Sequence, residues 1–422
     1  MTEPQSDQVR RRQVFYIPGY DPIHPRRYRE LYRKEGAAQA AISGYDIGIA
    51  ARRGDGPYGW HVSARIAEQD VQADVSVLVW SDIVRASMNN SIPGTYWQLF
   101  FTAWTYISTG TLRRLMWMRK GPVIAALYPV GMLLLQLGLA IGLGTLAAAL
   151  LAGALNGLLG LAGWSLGAAE PFLRWPLFAV VTVLILRWFK SQDGKFFAYY
   201  LMHDFAFAAR SGGANPAALE ARMAQFGDII AQALHSDTDE VLIVGHSSGA
   251  HLGVSILSDL IRAGRVPARG SAGGPALGFL SLGQVVPMVS FLPQATRLRT
   301  DLAYLSARDD ICWIDVTAPG DGCAFALCDP VAVSGVAPPD QRWPLVISAA
   351  FTQTLSPERW KALRWRFFRL HFQYLCAFDR PGDYDYFQIT AGPLTLARRY
   401  AGRKPSASRI DVPASKYTSM AA

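Results

Sequence analysis

No charged residue occurs between Gly121 and Ala169, a run of 49 positions. One helix crosses the hydrocarbon core of a bilayer with about 20 apolar residues. The run therefore has room for two crossings, or for one crossing and a buried piece. Glu170 and Arg174 interrupt it, and a shorter apolar stretch follows from Trp175 to Phe189. Basic residues stand at both outer flanks, with Arg113, Arg114, Arg119 and Lys120 before the block and Arg187 and Lys190 at its end. Positive charge marks the cytoplasmic ends of membrane spans, so both flanks are expected on that side and the crossings are even in number. The expectation is a two-helix transmembrane hairpin within residues 121–190, roughly 123–148 and 172–189, joined by a Gly-rich linker. The alternative is an apolar cap over a lipid-binding cleft, without spanning.

Outside this block the chain reads as an ordinary globular protein. Of its 422 residues 51% are hydrophobic and 17% charged, and the imbalance is concentrated in the block. The formal net charge is +9. The basic residues sit beside the apolar block and among aromatics, with no RNA- or DNA-binding signature, which favours a membrane surface over nucleic acid. The four cysteines, Cys312, Cys323, Cys328 and Cys376, form no CxxC pair and show no metal spacing with histidine. They are expected as small buried residues in a reducing compartment. The polar start, MTEPQSDQVRRRQ, lacks the apolar core of a signal peptide.

Short apolar runs alternate with helical periodicity along the chain. Val14 to Ile17 predicts a buried strand entering the tight loop at Pro18 and Gly19. Pro25 to Lys34 predicts a helix, Trp60 to Ile66 and Val75 to Trp80 predict strands, and the aromatic stretch from Asn89 to Thr111 predicts a helix. Beyond the block, helices are expected at Lys195–Arg210, Ala217–Leu234 and Ala250–Ile261, and strands at Val241–Val244, Leu277–Leu282 and Cys312–Val316. Such alternation predicts a mostly parallel α/β sheet with helices on both faces. Residues 1–120 and 191–402 would then be two parts of one domain, and the polar residues 403–422 a disordered tail.

The chemistry centres on Gly245-His246-Ser247-Ser248-Gly249, set between the apolar strand VLIV and the amphipathic segment AHLGVSIL. This is the G-x-S-x-G elbow in its strand-turn-helix context. The turn forces the serine backbone into a strained conformation, so the residues two before and two after it have no room for a Cβ. It presents Ser247 Oγ at a helix N-terminus, where the Ser248 amide can donate to a developing oxyanion.

On this motif and context the sequence resembles the α/β-hydrolase superfamily, its lipase and esterase branches in particular. The resemblance implies a triad in the order Ser, Asp or Glu, His, with the acid in a loop after a later strand and an oxyanion loop after an early one. The histidine follows by elimination. His24, His61, His203, His235 and His246 precede the serine and His251 lies on the elbow helix, so His371 remains. Five aspartates are candidates for the acid. Asp309 and Asp310 precede the strand ICWIDV and Asp315 lies inside it, whereas Asp321 sits just past its C-terminal end, where sites gather in parallel sheets. Asp321 ranks first and Asp329 second. The oxyanion loop is expected at Ile17 to Tyr20, with a backbone amide of Gly19 or Tyr20 donating. Asp21 and His24 nearby either touch substrate or close the turn, and the second is the expectation. No metal or cofactor signature is present.

The reading is a membrane-anchored serine hydrolase, its catalytic domain on the cytoplasmic side of the plasma or inner membrane. The substrate is expected to be an acyl or lipid ester, cleaved by Ser247, His371 and Asp321. A thioesterase or amidase would use the same residues, and an inactive hydrolase-fold membrane scaffold is the non-enzymatic alternative.

Overall fold

The computed structural model describes residues 8–52, 56–88, 91–267 and 274–421. The chain divides into two compact units. Unit 1 comprises Met1–Ala86, Thr105–Val123 and Ala208–Ala422, and unit 2 comprises Ser87–Trp104 and Ile124–Phe207.

Unit 1 is built on one eight-stranded sheet of β1 (Arg11–Ile17), β2 (Asp46–Ala51), β3 (Gly59–Ile66), β4 (Gln69–Val77), β5 (Glu240–His246), β6 (Ala276–Leu282), β7 (Cys312–Thr317) and β8 (Leu345–Ser348). The order is β2-β3-β4-β1-β5-β6-β7-β8. From β4 to β8 every neighbouring pair is parallel, and β3 and β2 add an antiparallel edge. Helices of eight residues or more are α1 (Arg26–Ser43), α2 (Ile92–Ser108), α3 (Thr111–Met118), α4 (Lys120–Leu161), α5 (Glu170–Ser191), α6 (Ala198–Ala209), α7 (Ala217–Leu234), α8 (Ser248–Arg262) and α9 (Thr296–Ser306).

Both faces of the sheet are covered, which is why its central strands read as unbroken apolar runs. On one face Val14, Tyr16, Leu242, Val244, Leu280 and Ile314 share a buried cluster with Tyr28 and Tyr32 of α1 and with Tyr374, Phe378 and Phe387. The alternate residues point to the other face, as the pleat requires. There Phe279 packs so tightly on α8 that a Cβ on Gly253 would lie 2.7 Å from its ring. A buried ion pair, Arg12 Nε to Glu240 Oε2 at 2.6 Å, ties β1 to β5. Its remaining groups are used: Arg12 also donates to the carbonyls of Gly392 and Leu394, and Glu240 accepts from Leu396 N–H. Full hydrogen bonding is what offsets the cost of burying two charges.

Unit 2 holds two helices long and apolar enough to cross a membrane, the 42-residue α4 (all but its first four residues) and the segment Gly167–Ser191 that contains α5. With them belong the first part of α2 and all of α6 except its last two residues. Leu99, Leu133, Ala198, Tyr199, Met202 and Ala206 form their shared core. The unit is thus larger than the expected block 121–190, because Leu99 of α2 and Ala198, Tyr199, Met202 and Ala206 of α6 pack with Leu133 of α4.

Three expectations need correction. The Gly-rich linker is largely helical, since α4 continues through Gly153, Gly157 and Gly160 to Leu161. Ala and Leu dominate that stretch, and their helix propensity outweighs about 1 kcal/mol per scattered glycine. The strands β2 and β8 were not expected; β2 is an exposed edge and β8 has only four residues. The tail beyond Arg403 lies along the surface of unit 1 and is tied to it by hydrogen bonds, not left unpaired as a disordered tail would be. Ser406 N–H donates to Val346 O, Ile410 N–H to Leu327 O, and Arg299 Nε to Ser419 O. Polar composition missed these bonds because the tail is held by its backbone, which pairs with buried groups that need partners. Asn89 and Asn90, where the aromatic helix was expected to begin, lie outside the described residues.

Candidate active site

The strand β5 is buried over its whole length and ends at His246. The chain turns into α8 at a single residue, Ser247, with φ 56° and ψ −121°. A residue with a Cβ adopts such a conformation only when its surroundings impose it, at a cost on the order of 1–3 kcal/mol. Here the surroundings are glycines. A Cβ on Gly249 would lie 2.0 Å from the Ile17 carbonyl oxygen, and one on Gly245 2.7 Å from both Ala250 Cα and the Gly249 oxygen. A Cβ on Gly19 would lie 2.9 Å from Ser247 Cβ and 3.4 Å from its Oγ. The loop after β1 therefore rests directly against the serine. Ser247 N–H donates to Leu282 O at 2.9 Å, which anchors the turn to the end of β6. As the first residue of α8, Ser248 has an amide with no partner inside the helix.

The loop that carries Gly19 and Tyr20 is braced from two sides. Trp80 Nε1 donates to Pro18 O at 2.9 Å, and the Tyr20 ring meets Trp80 edge-on. Asp21 accepts from the Tyr28 hydroxyl and from Ile23 N–H, and pairs with Arg27 at 3.1 Å. His24 Nδ1 accepts from Arg26 N–H at 3.2 Å. Both side chains close the turn.

His371 ends a short helix, Phe367–His371, and is 6% exposed. Its Nδ1 lies 2.7 Å from Asp321 Oδ2. Asp321, just past β7 and 2% exposed, also accepts from the Tyr374 hydroxyl at 3.0 Å and from Cys323 N–H at 2.9 Å. Burial alone would raise this carboxyl, but the charge of His371 and the hydrogen bonds outweigh it and hold Asp321 below the usual carboxylate range. An ionised carboxylate can only accept, so Nδ1 donates to Asp321 and Nε2 is the nitrogen not engaged by it.

The other aspartates are engaged elsewhere. Asp329 caps the helix Pro330–Val333, taking Val331 and Ala332 N–H on Oδ1 and Gln341 Nε2 on Oδ2. Asp310 pairs with Arg308. Asp315 accepts from Ser281 Oγ at 2.6 Å and has its second oxygen unpartnered, and burial pushes its carboxyl up to about 8.

The serine turn and the histidine are neighbours. His246 Nε2 lies 3.0 Å from the His371 carbonyl, to which it donates, and the two rings are 4.8 Å apart. Burial pushes His246 down to about 3, so it stays neutral. Gly283, at φ 54°, follows the Leu282 that holds the Ser247 amide, and a Cβ there would lie 3.0 Å from His371 Cε1 and 2.7 Å from the Tyr374 ring. No hydrogen bond joins Ser247 Oγ to His371 among those that the described residues make. Catalytic hydrogen bonds are often long before substrate binds.

Sequence reasoning missed four residues of this site. His246 and Gly283 carry no local sign of their role. Tyr374 stood one helical turn beyond His371 in a recognisably aromatic stretch. Cys323 escaped because 50 residues separate Asp321 from His371, yet the donor atoms of Asp321, Cys323 and His371 lie within 4.8 Å of one another. This carboxylate, thiol and imidazole set could hold a divalent cation such as zinc. Two surface clefts, one bordered by Gln13, Arg52 and Arg222 and the other by Trp343, Tyr400 and Arg409, share no residue with the site.

No protein-family model, curated protein or solved structure matches this chain.

Proposed function

We propose that this protein is a membrane-anchored serine hydrolase of α/β-hydrolase type that cleaves an acyl ester. The observation that carries the reading is Ser247 held at φ 56° between a strand and a helix, with glycine on each side where a Cβ has no room. Such strain is kept where it presents a reactive side chain. The order Ser247, Asp321, His371 supports it, as do the loops that supply them, after β5, after β7 and beyond β8. The scaffold alternative would be favoured by an isolated His371, and the 2.7 Å contact with Asp321 weighs against it.

In this mechanism Ser247 Oγ attacks the acyl carbonyl carbon while His371 Nε2 takes its proton. The amide of Ser248 and one from Gly19 or Tyr20 hold the oxyanion, and Asp321 stabilises the imidazolium. His371 then protonates the departing alcohol, leaving an acyl-serine. Water, deprotonated by His371, releases the acid and restores the serine.

The unit with α4 and α5 anchors the enzyme, and the basic residues at both ends of the apolar block set those ends on the cytoplasmic side. An anchored enzyme meets acyl chains already concentrated in a bilayer, which favours a lipid ester over a soluble one.

Labelling with a fluorophosphonate probe tests the reading. Detergent-solubilised protein should label covalently, and Ser247→Ala should lose the label while keeping the wild-type melting profile. A folded wild type that does not label would leave the scaffold reading in its place.

A further inference from the structure

Unit 2 contains markers that set the depth of its helices. On α5 the exposed aromatics Phe172 and Trp175 lie near one end, and Trp188 lies near the other beside Arg187 and Lys190. From Phe172 to Lys190 is about 27 Å at 1.5 Å per residue, close to the ~30 Å of a hydrocarbon core. Aromatic and basic side chains gather at the boundaries of a bilayer, so Trp188 to Lys190 mark one boundary.

The helix α4 has 42 residues, about 63 Å and so twice the length a span requires. Its contacts with α5 show which part lies at which level. Thr182 Oγ1 of α5 donates to Ala140 O of α4 at 3.4 Å, and the turn that joins the two is closed by Leu166 N–H, which donates to Asn156 Oδ1 at 2.8 Å. The two helices run in opposite directions. Descending from Thr182 to Lys190, about 12 Å, corresponds on α4 to descending from Ala140 to the neighbourhood of Leu133.

That level is where α2 and α6 join. Tyr96 on α2 donates to Leu133 O at 3.0 Å, Leu99 and Tyr199 share a buried cluster with Leu133, and Lys190 Nζ lies 5.9 Å from the Tyr199 ring. On α2 the side chains of Thr95, Gln98, Leu99 and Thr102 are buried. The opposite face presents Trp97 (67% exposed), Phe100 (58%), Phe101 (40%) and Trp104 (62%). Their spacing of three and four residues makes them one stripe. Leaving a large ring in water forgoes roughly 1.5–3 kcal/mol, so four of them call for an apolar partner.

We propose that the Trp97–Phe100–Phe101–Trp104 face of α2 is embedded at the headgroup–acyl boundary of the bilayer that α4 and α5 cross. The occupant is lipid, because the stripe stands at the level that Trp188 and Lys190 mark and is continuous with the lipid-facing surface of the same unit. The inference rests on the membrane reading above, and goes beyond it by adding a boundary helix outside the apolar block.

Bromine quenching of tryptophan fluorescence tests it. The full chain is reconstituted in phosphatidylethanolamine–phosphatidylglycerol vesicles whose acyl chains carry bromine near the carbonyl end or near the methyl end. The emission of each pair is the difference between wild type and the conservative variants Trp97→Phe/Trp104→Phe and Trp175→Phe/Trp188→Phe. The Trp97/Trp104 emission should lose most of its intensity, and lose more with the shallow bromines than with the deep ones. Quenching of Trp175/Trp188 alone would overturn the boundary helix while leaving the spans in place. Stronger quenching of Trp97/Trp104 by the deep bromines would overturn the boundary placement. Quenching of neither pair would overturn the membrane reading together with this inference.

Discussion

The two units place the same residue types in opposite surroundings. In unit 1 Trp60, Trp80 and Trp313 are at most 2% exposed and only Trp117 and Trp365 are more than half exposed among the described residues, whereas in unit 2 Trp97, Trp104, Trp164, Trp175 and Trp188 are all more than half exposed. Unit 1 buries Arg12, Glu240, Asp315 and Asp321, and the long apolar run of unit 2 carries no charge. Their glycines differ in the same way. Around the serine turn Gly245, Gly249 and Gly283 have no space for a methyl group, while along the unit 2 part of α4 nothing lies within 4 Å of one at Gly138, Gly142, Gly153, Gly157 or Gly160, Gly144 against Thr182 being the exception. Water selects the first pattern, in which apolar groups go inside and each buried polar group needs a partner. The second suits the apolar solvent proposed for unit 2, in which backbone groups pair within their own helix and side chains face outward. Substitutions should therefore have effects set by the unit they fall in.

The largest effect is expected inside unit 1, between two buried aspartates. Asp321→Asn keeps the shape but no longer holds the His371 tautomer, and should lower kcat for an acyl ester by about 10⁴-fold. Asp329→Ala removes a helix cap and should cost about 1 kcal/mol of stability with turnover within a factor of a few. Steady-state hydrolysis and thermal unfolding of both variants measure the contrast. An Asp321→Asn enzyme as active as wild type would remove this carboxylate from the mechanism.

Next comes a methyl group added in each unit. Gly249→Ala sets a Cβ against the backbone oxygen of Ile17 at 2.0 Å. Overpacking commonly costs 1–3 kcal/mol, and a backbone contact this short should cost at least that, together with fluorophosphonate labelling. Gly157→Ala adds the same atom to an open helix surface and should stabilise α4 by roughly 1 kcal/mol. Melting temperatures in detergent report both. Equal losses would mean that α4 is packed against something at Gly157, and the contrast between the units would fail there.

Legibility followed the distance over which each feature is encoded. The elbow was readable because its strain and its glycines lie within five consecutive residues. The Ile17–Tyr20 loop was readable as a strand followed by Pro-Gly, though its contact with Ser247 was not. His371 could be reached only by elimination, and Asp321 and Asp329 stayed open because position after a strand does not say which carboxylate meets an imidazole 50 residues away. The support from His246, Gly283 and Tyr374 depends on packing between β5, β6 and the segment after β8, which no local pattern carries. Central strands announced themselves through apolar runs. The edge strand β2, with the sequence DIGIAA, and the four-residue β8 did not. In unit 2 the apolar run was plain, but the recruitment of α2 and α6 rests on one buried cluster around Leu133.

The last contrast concerns a buried group with no part in the proposed reaction. Asp315 is raised from 3.8 to about 8 by burial within β7. The folded chain keeps its proton at pH values where the unfolded chain has released it. Its contribution is complete below about pH 4 and is lost as pH rises towards 8, by about 1.4 kcal/mol per pH unit. His246 and His251 act in the opposite sense, since burial pushes them to about 3 and about 4. They are neutral when folded and charged when unfolded, so they weaken the fold as pH falls below about 6.5. Asp315→Asn removes only the first dependence. Measured by denaturant unfolding from pH 4 to 8, the stability of the variant relative to wild type should climb by about 1.4 kcal/mol per unit and then level off. A flat difference would mean that Asp315 is ionised inside the sheet, and that the rule of a partner for every buried charge in unit 1 has an exception beside Ser281.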